Sequence, residues 1–152
     1  EGGVTTGHMI DNELKVIEVL NQGMFKLSPL KLKSDDQYSF NDAYNKNIIA
    51  ELKHRQFVLG TYPDYMLEKD KYMRLMDIAC STRRVAYYVN SFDSGEIVGW
   101  SLQGLHRQGG LNWEKRLCPK TTEFEDNDKI EKTVAFLTLD HASLWGNLPK
   151  SI

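Results

Sequence analysis

Apolar residues recur every three or four positions through Ile10, Leu14, Ile17 and Leu20, with Val16 and Val19 beside them. That spacing predicts an amphipathic helix from Asp11 or Asn12, either of which can cap it, to about Gln22. Gly23 suits the left-handed position that closes a helix. Around Pro29 the pattern changes to alternation, with Leu30 and Leu32 facing inward and Lys31 and Lys33 facing water. This reads as an irregular or edge segment. Ser39 and Asp42 approximate a capping box, which predicts a second helix to about His54 burying Tyr44, Ile48 and Leu52. Phe57–Gly60 reads as a short buried strand, and Tyr62-Pro63 breaks the chain. Asp64 then caps a third helix with Tyr65, Tyr72, Leu75, Met76 and Ala79 on one side.

The clearest β pattern lies in "RVAYYVNSFDSGEIVGWSLQG". Val85–Ser91 and Glu96–Gln103 are rich in β-branched and aromatic residues and flank a short turn in which Gly95 supplies a positive φ. Val98, Trp100 and Leu102 alternate against Ile97, Gly99 and Ser101, as on a half-buried strand. The first strand is apolar on both faces, so the hairpin is expected at the centre of a sheet, with Trp100 in the core. Residues 104–131 carry Gly104, Gly109 and Gly110 and read as a long loop with one short helix at most. Lys132–Leu139 is the last clear strand. Helices and antiparallel strands in this order predict an α+β domain: an antiparallel sheet built around a central hairpin, about 84–103, with helices packed mainly on one face.

Composition narrows the picture without identifying a function. The chain has 152 residues, 41% hydrophobic and 26% charged, which suits one globular domain. The Gly- and Thr-rich start ending in Gly-His-Met reads as a vector-derived remnant, so residues 1–8 are set aside and 9–152 are taken as a single domain. No apolar run is long enough to span a membrane. The formal net charge of −2 gives no global attraction to polyanions, so a polyanion site would be a local patch. Cys80 and Cys118 fit reduced thiols in a cytoplasmic protein, with a single bridge left open.

The candidate chemistry is sparse. His106, Arg107, Trp113, Lys115, Arg116 and Lys120 form a basic, aromatic-bearing stretch next to the acidic residues Glu123, Glu125, Asp126, Asp128 and Glu131. Arg and Trp are frequent at binding hot spots. Arg107, Trp113, Lys115 and Arg116 are therefore the candidate partner-binding residues, and residues 106–120 the place where a polyanion or nucleotide would bind. The acidic run lacks the Gly that a calcium loop needs. Asp140-His141 ends the last strand, but neighbours on a strand point to opposite faces. Trp145 is expected to dock the tail. No Ser-His-Asp motif, phosphate loop or zinc pattern appears, so neither a cofactor nor a metal is read from the sequence.

Two resemblances attach to the hairpin. "AYYVNSFDSGEIVGWSLQG" resembles the central hairpin of GNAT-type acyltransferases, which implies an acyl-CoA site on the following strand; the nearest match, "TVAFLTLDHASLWG", lacks that family's Gly-rich loop. More faintly, Ala86-Tyr87-Tyr88, Ile97-Val98-Gly99 and Arg107 resemble the nuclease family named for its Gly-Ile-Tyr and Tyr-Ile-Gly motifs, whose first Gly and second Tyr are absent here. The expected function is a small binding, regulatory or protein-interaction domain without readable catalytic machinery, with a protein partner or a second copy of itself. An acyl-CoA-using acyltransferase and a nucleic-acid-binding or nuclease-type protein stand as alternatives.

Overall fold

The computed structural model describes residues 2–32, 42–119 and 129–149, with backbone alone for 2–11 and 119. Lys33, the Ser39 cap, Lys120 and the acidic residues 123–128 lie outside the described residues. The chain is α+β, as the pattern implied. A six-stranded sheet runs in the order β1 (Lys31–Leu32), β2 (Ala43–Tyr44), β3 (Ile48–Arg55), β5 (Val85–Phe92), β6 (Glu96–Ser101), β9 (Leu144–Asn147). A three-stranded antiparallel sheet holds β4 (Tyr65–Glu68), β8 (Lys129–Leu137) and β7 (Glu114–Pro119). The helices are α1 (Gly2–Gln22), α2 (Lys69–Thr82) and α3 (Leu102–Gln108). The larger sheet is mixed rather than wholly antiparallel, because β3 and β5 pair in parallel, Ile48 opposite Val85 through Arg55 opposite Phe92.

The two faces of the large sheet carry separate cores. Val16, Ile17 and Leu20 of α1 pack on Ile48, Ala50, Val89 and Ile97. Leu75 and Ala79 of α2, Leu102 and Leu105 of α3, and Tyr65, Leu67 and Leu137 of the small sheet pack on Ile49, Tyr88, Phe92 and Trp100. Helices α2 and α3 thus share one face and α1 takes the other. The hairpin is central and buried. Its ladder runs from Ser91 opposite Ile97 to Tyr87 opposite Ser101, and Gly95 has φ +101°. Trp100 is fully buried, and its indole N–H donates to the Thr138 carbonyl at 2.8 Å.

Several element boundaries differ from the sequence reading. The expected helix 39–54 is replaced, over its described part, by β2 and β3. Tyr44, Ile48 and Leu52 are spaced by four, and four is a multiple of the strand period as well as near the helix period. The Asn45-Lys46-Asn47 turn decides between them. Asn45 Oδ1 accepts from the Asn47 and Ile48 amides at 2.7 and 2.8 Å, which folds the chain back and makes a hairpin. Helix α1 continues N-terminally through Asp11 and Asn12, so no cap is required there. Phe57–Gly60 is a turn, not a strand, and leaves Val58 exposed. Helix α2 starts at Lys69 instead of Asp64, because Tyr65–Glu68 finds a strand partner in β8. Leu102 and Gln103 belong to α3, which the Ser101 hydroxyl caps by accepting from the Gly104 amide at 3.1 Å. The stretch read as a loop also contains β7. Trp145, expected to dock the tail, is 55% exposed on β9, and the last residues, 150–152, lie outside the described residues. Cys80 and Cys118 are both free.

Candidate active site

Among the described residues, β2 is short, and its Ala43 and Tyr44 pair with Ala50 and Ile49. From Glu51 onward, among the described residues, β3 is paired only on its β5 side. Asp42, the residue before β2, bonds to β3 just beyond those pairs. Its amide donates to the Ala50 carbonyl at 2.9 Å, and its Oδ2 accepts from the Leu52 amide at 2.7 Å. The first backbone donor beyond the paired segment is thereby satisfied by a carboxylate instead of a strand.

Alternation on β3 decides what joins Asp42. Glu51, Lys53 and Arg55 share one face, two residues apart. Glu51 Oε1 lies 3.8 Å from Lys71 Nζ of α2. Glu51 and Asp42 share a hydrogen bond, and Glu13 of α1 is close enough to act electrostatically on both. Burial, with Asp42 and Glu13 nearby, pushes the Glu51 carboxyl up to about 8 despite Lys71. Burial and Asp42 push Glu13 up to about 7. Burial also raises Asp42, against the Leu52 amide, Lys71 and Glu51. Lys53 is lowered, first by burial and then by Arg55 and Lys71. Burial alone would lower Lys71, but Glu51, Tyr88, Glu68 and Asp42 outweigh it and raise it. Three carboxyl groups that resist ionising beside a lysine that resists protonation form a concentrated set of perturbed groups, a pattern typical of functional sites.

Two polar atoms on this face have no partner. Glu51 Oε2 and Asn90 Nδ2 are both buried and unbonded. Asn90 stands opposite Lys53 in the parallel ladder, and its Oδ1 accepts from Arg55 Nε at 2.6 Å. Unsatisfied buried atoms are rare in folded proteins and mark places where water or an ion belongs. A cavity of about 430 Å³ lies alongside, lined by Asn12, Glu13, Lys53, His54, Arg55 and Ser91 among others. His54 bridges two groups there, with Nδ1 2.9 Å from Ser91 Oγ and Nε2 2.9 Å from Asp93 Oδ1. The tautomer of His54 sets which ring nitrogen donates and which accepts.

Oxygen-rich carboxylate sets suit hard divalent cations such as Mg²⁺, and Glu51 Oε2 is a buried oxygen with no bonded partner. Among the described residues, no three Asp, Glu, His or Cys side chains are grouped so that they could hold a metal ion. Mg²⁺ does not require such a group, since it is commonly held by one or two carboxylates together with water and substrate phosphates.

The residues singled out in the sequence do not converge. Arg107 is exposed on α3. Trp113 is half-buried, 5.2 Å from the Tyr72 ring, with Lys69 Nζ 5.8 Å away. Lys115 pairs with Glu131 at 3.8 Å, and Arg116 with Glu114 at 2.9 Å. Lys115 and Arg116 are neighbours on β7 and point to opposite faces. The Glu51/Lys53 pair was missed because it lay inside an expected helix, where residues two apart do not share a face. Recognising the Asn45–Asn47 turn would have exposed it.

No protein family matches the chain, and no curated protein matches it. One solved structure to which it is similar is Hjc, a Holliday junction resolvase from the archaeal hyperthermophile Archaeoglobus fulgidus. The identity is 14%, the TM-score is 0.47, and the overlap covers 88% of this chain and 91% of that one.

Proposed function

We propose that this chain is a nuclease-type enzyme, a divalent-metal-dependent phosphodiesterase acting on nucleic acid. The carrying observation is Glu51, whose unbonded buried Oε2 lies on the same side of β3 as Lys53 and whose carboxyl is coupled to Asp42 and Glu13. This reading favours the nuclease-type alternative over a binding module without catalytic machinery. It rests on the carboxylate constellation and not on the hairpin, which is core.

Glu51 and Asp42, with Glu13 behind them, would hold the cation. A bound divalent ion supplies charge neutralisation at phosphate oxygens and a water of lowered pKa. Lys53, a compact point charge with three donors, is placed to bind a phosphate oxygen beside that set. Lys71 on α2 orients Glu51.

The test is cleavage of labelled single-stranded, duplex and branched DNA and RNA, with Mg²⁺ or Mn²⁺ and with EDTA. Metal-dependent cleavage is expected. Glu51→Gln and Lys53→Met should each lower the rate by roughly 100-fold or more, in the range seen when a charge-stabilising group is removed. Absence of cleavage of every substrate with either metal overturns the proposal.

A further inference from the structure

At its C-terminal end, β3 leads into a second concavity. It holds about 210 Å³ and is lined by Arg55, Phe57, Tyr62, Tyr65, Met66 and Phe136, with Asp64 at its rim. Its aromatic wall is rigid at the back and open at the front. Phe57 lies parallel to the fully buried Tyr65, with centroids 6.4 Å apart and planes within 9°. Tyr62 meets Phe57 edge-on at 4.9 Å and is 54% exposed. Outside the lining, the Arg116 guanidinium lies against Phe136, 5.2 Å from its ring centre. Arg55 donates to Asn90, the Met66 carbonyl and Tyr88 through Nε and Nη2, which leaves Nη1 without a bonded partner among the described residues.

We infer that this cleft receives an unpaired nucleobase of the substrate strand, so that the enzyme selects single-stranded or locally unpaired nucleic acid. This rests on the nuclease reading. Three features point to a base. The walls present aromatic faces and edges, which stack on any of the four bases. The two guanidinium groups, Arg55 and Arg116, complement the charge of a phosphodiester strand and can stack on a base plane. The position also fits. Arg55 is two residues beyond Lys53 and four beyond Glu51, so the cleft begins about 7 and about 13 Å along the strand from them. A nucleotide one or two steps from the phosphate at Lys53 would reach it. A base inside a duplex is stacked on both faces and cannot enter; an unpaired base can.

The probes are a short single-stranded DNA carrying 2-aminopurine and a blunt duplex of the same sequence, bound to the full chain in EDTA so that no cleavage occurs. The single strand should bind more tightly, with its fluorescence quenched. Tyr62→Ala and Phe136→Ala should each weaken single-strand binding by roughly 5- to 150-fold, the range for loss of one stacking partner. Duplex binding should be unchanged, and Tyr62→Phe should restore the single-strand affinity. Tyr62 is exposed, so its substitution leaves the core intact. Equal affinity for duplex and single strand, or Tyr62→Ala binding like the parent, overturns the inference. Cleavage assays separate the two proposals. Metal-dependent cleavage without stacking removes the cleft's role alone, and stacking without cleavage of any substrate removes the nuclease reading alone.

Discussion

Glu51→Gln should make the metal-free protein more stable at neutral pH while removing its activity. The Glu51 carboxyl is raised to about 8 in the folded chain from an ordinary value of 4.5. Between those values the folded state holds a proton that the unfolded state releases. Stability attached to this group is therefore fully present below about pH 4.5 and is lost as the pH rises toward 8. At pH 7 the loss is about 3 kcal/mol, from roughly 2.5 pH units at 1.36 kcal/mol each. A glutamine at this position never ionises and can still donate to Asp42. The attraction of Lys71 is already contained in the Glu51 value, and a protonated carboxyl forgoes it as the glutamine does. The gain at pH 7 is then about 3 kcal/mol, or a rise in Tm of roughly 6–12 °C for a chain of this length. Thermal melts of both proteins in EDTA at pH 4.5, 7 and 8.5 measure it. The difference should be near zero at pH 4.5 and grow with pH. A variant destabilised equally at all three values would refute the argument, since it would show Glu51 acting only as a packing or pairing group. Adding Mg²⁺ should narrow the gap at high pH, because a bound cation stabilises the ionised parent by mass action.

Two further outcomes follow from the fold. Trp100→Ala should cost about 3–5 kcal/mol in urea denaturation, because it empties a fully buried site and leaves the Thr138 carbonyl without its donor; a loss below about 1 kcal/mol would contradict the packing. Arg107→Ala with Arg116→Ala should leave stability within about 1 kcal/mol, since Arg107 is exposed and the Arg116 pair is surface-borne. We propose that this stretch, with Trp113 and Lys115, supplies contacts to a polyanionic partner. Oligonucleotide affinity that is unaffected by the double substitution would remove it from the binding surface.

The legible parts of the sequence were those in which one period dominates. In the hairpin around Gly95, β6 alternates and β5 is apolar on both faces, and α1 shows its stripe through Leu20, so both were readable. The site was not, and the reason is geometric. Tyr44, Ile48 and Leu52 satisfy the helix and strand periods together, and the strand interpretation depends on side-chain hydrogen bonds from Asn45 that a hydrophobic pattern does not contain. Once β3 is read as a helix, Glu51 and Lys53 face different directions and Asp42 becomes a cap. The convergence of Glu13 with residues some thirty to forty positions later is tertiary information. The basic stretch at 106–120 drew attention because its charges are contiguous in sequence, yet α3 and β7 disperse them.

The bond from Asp42 to the edge of β3 has a second consequence, for solubility. A strand edge with free backbone groups is a template on which a second chain can add, and proteins commonly guard such edges with charge. Here the guard is the site itself. Asp42 occupies the Leu52 amide, and Lys53 and Arg55 place two basic side chains along β3 beyond its last described pair with β2. The residues proposed to handle phosphate are thus also those that keep the sheet from extending into a neighbour, so neutralising them together removes a barrier to self-association as well as an activity.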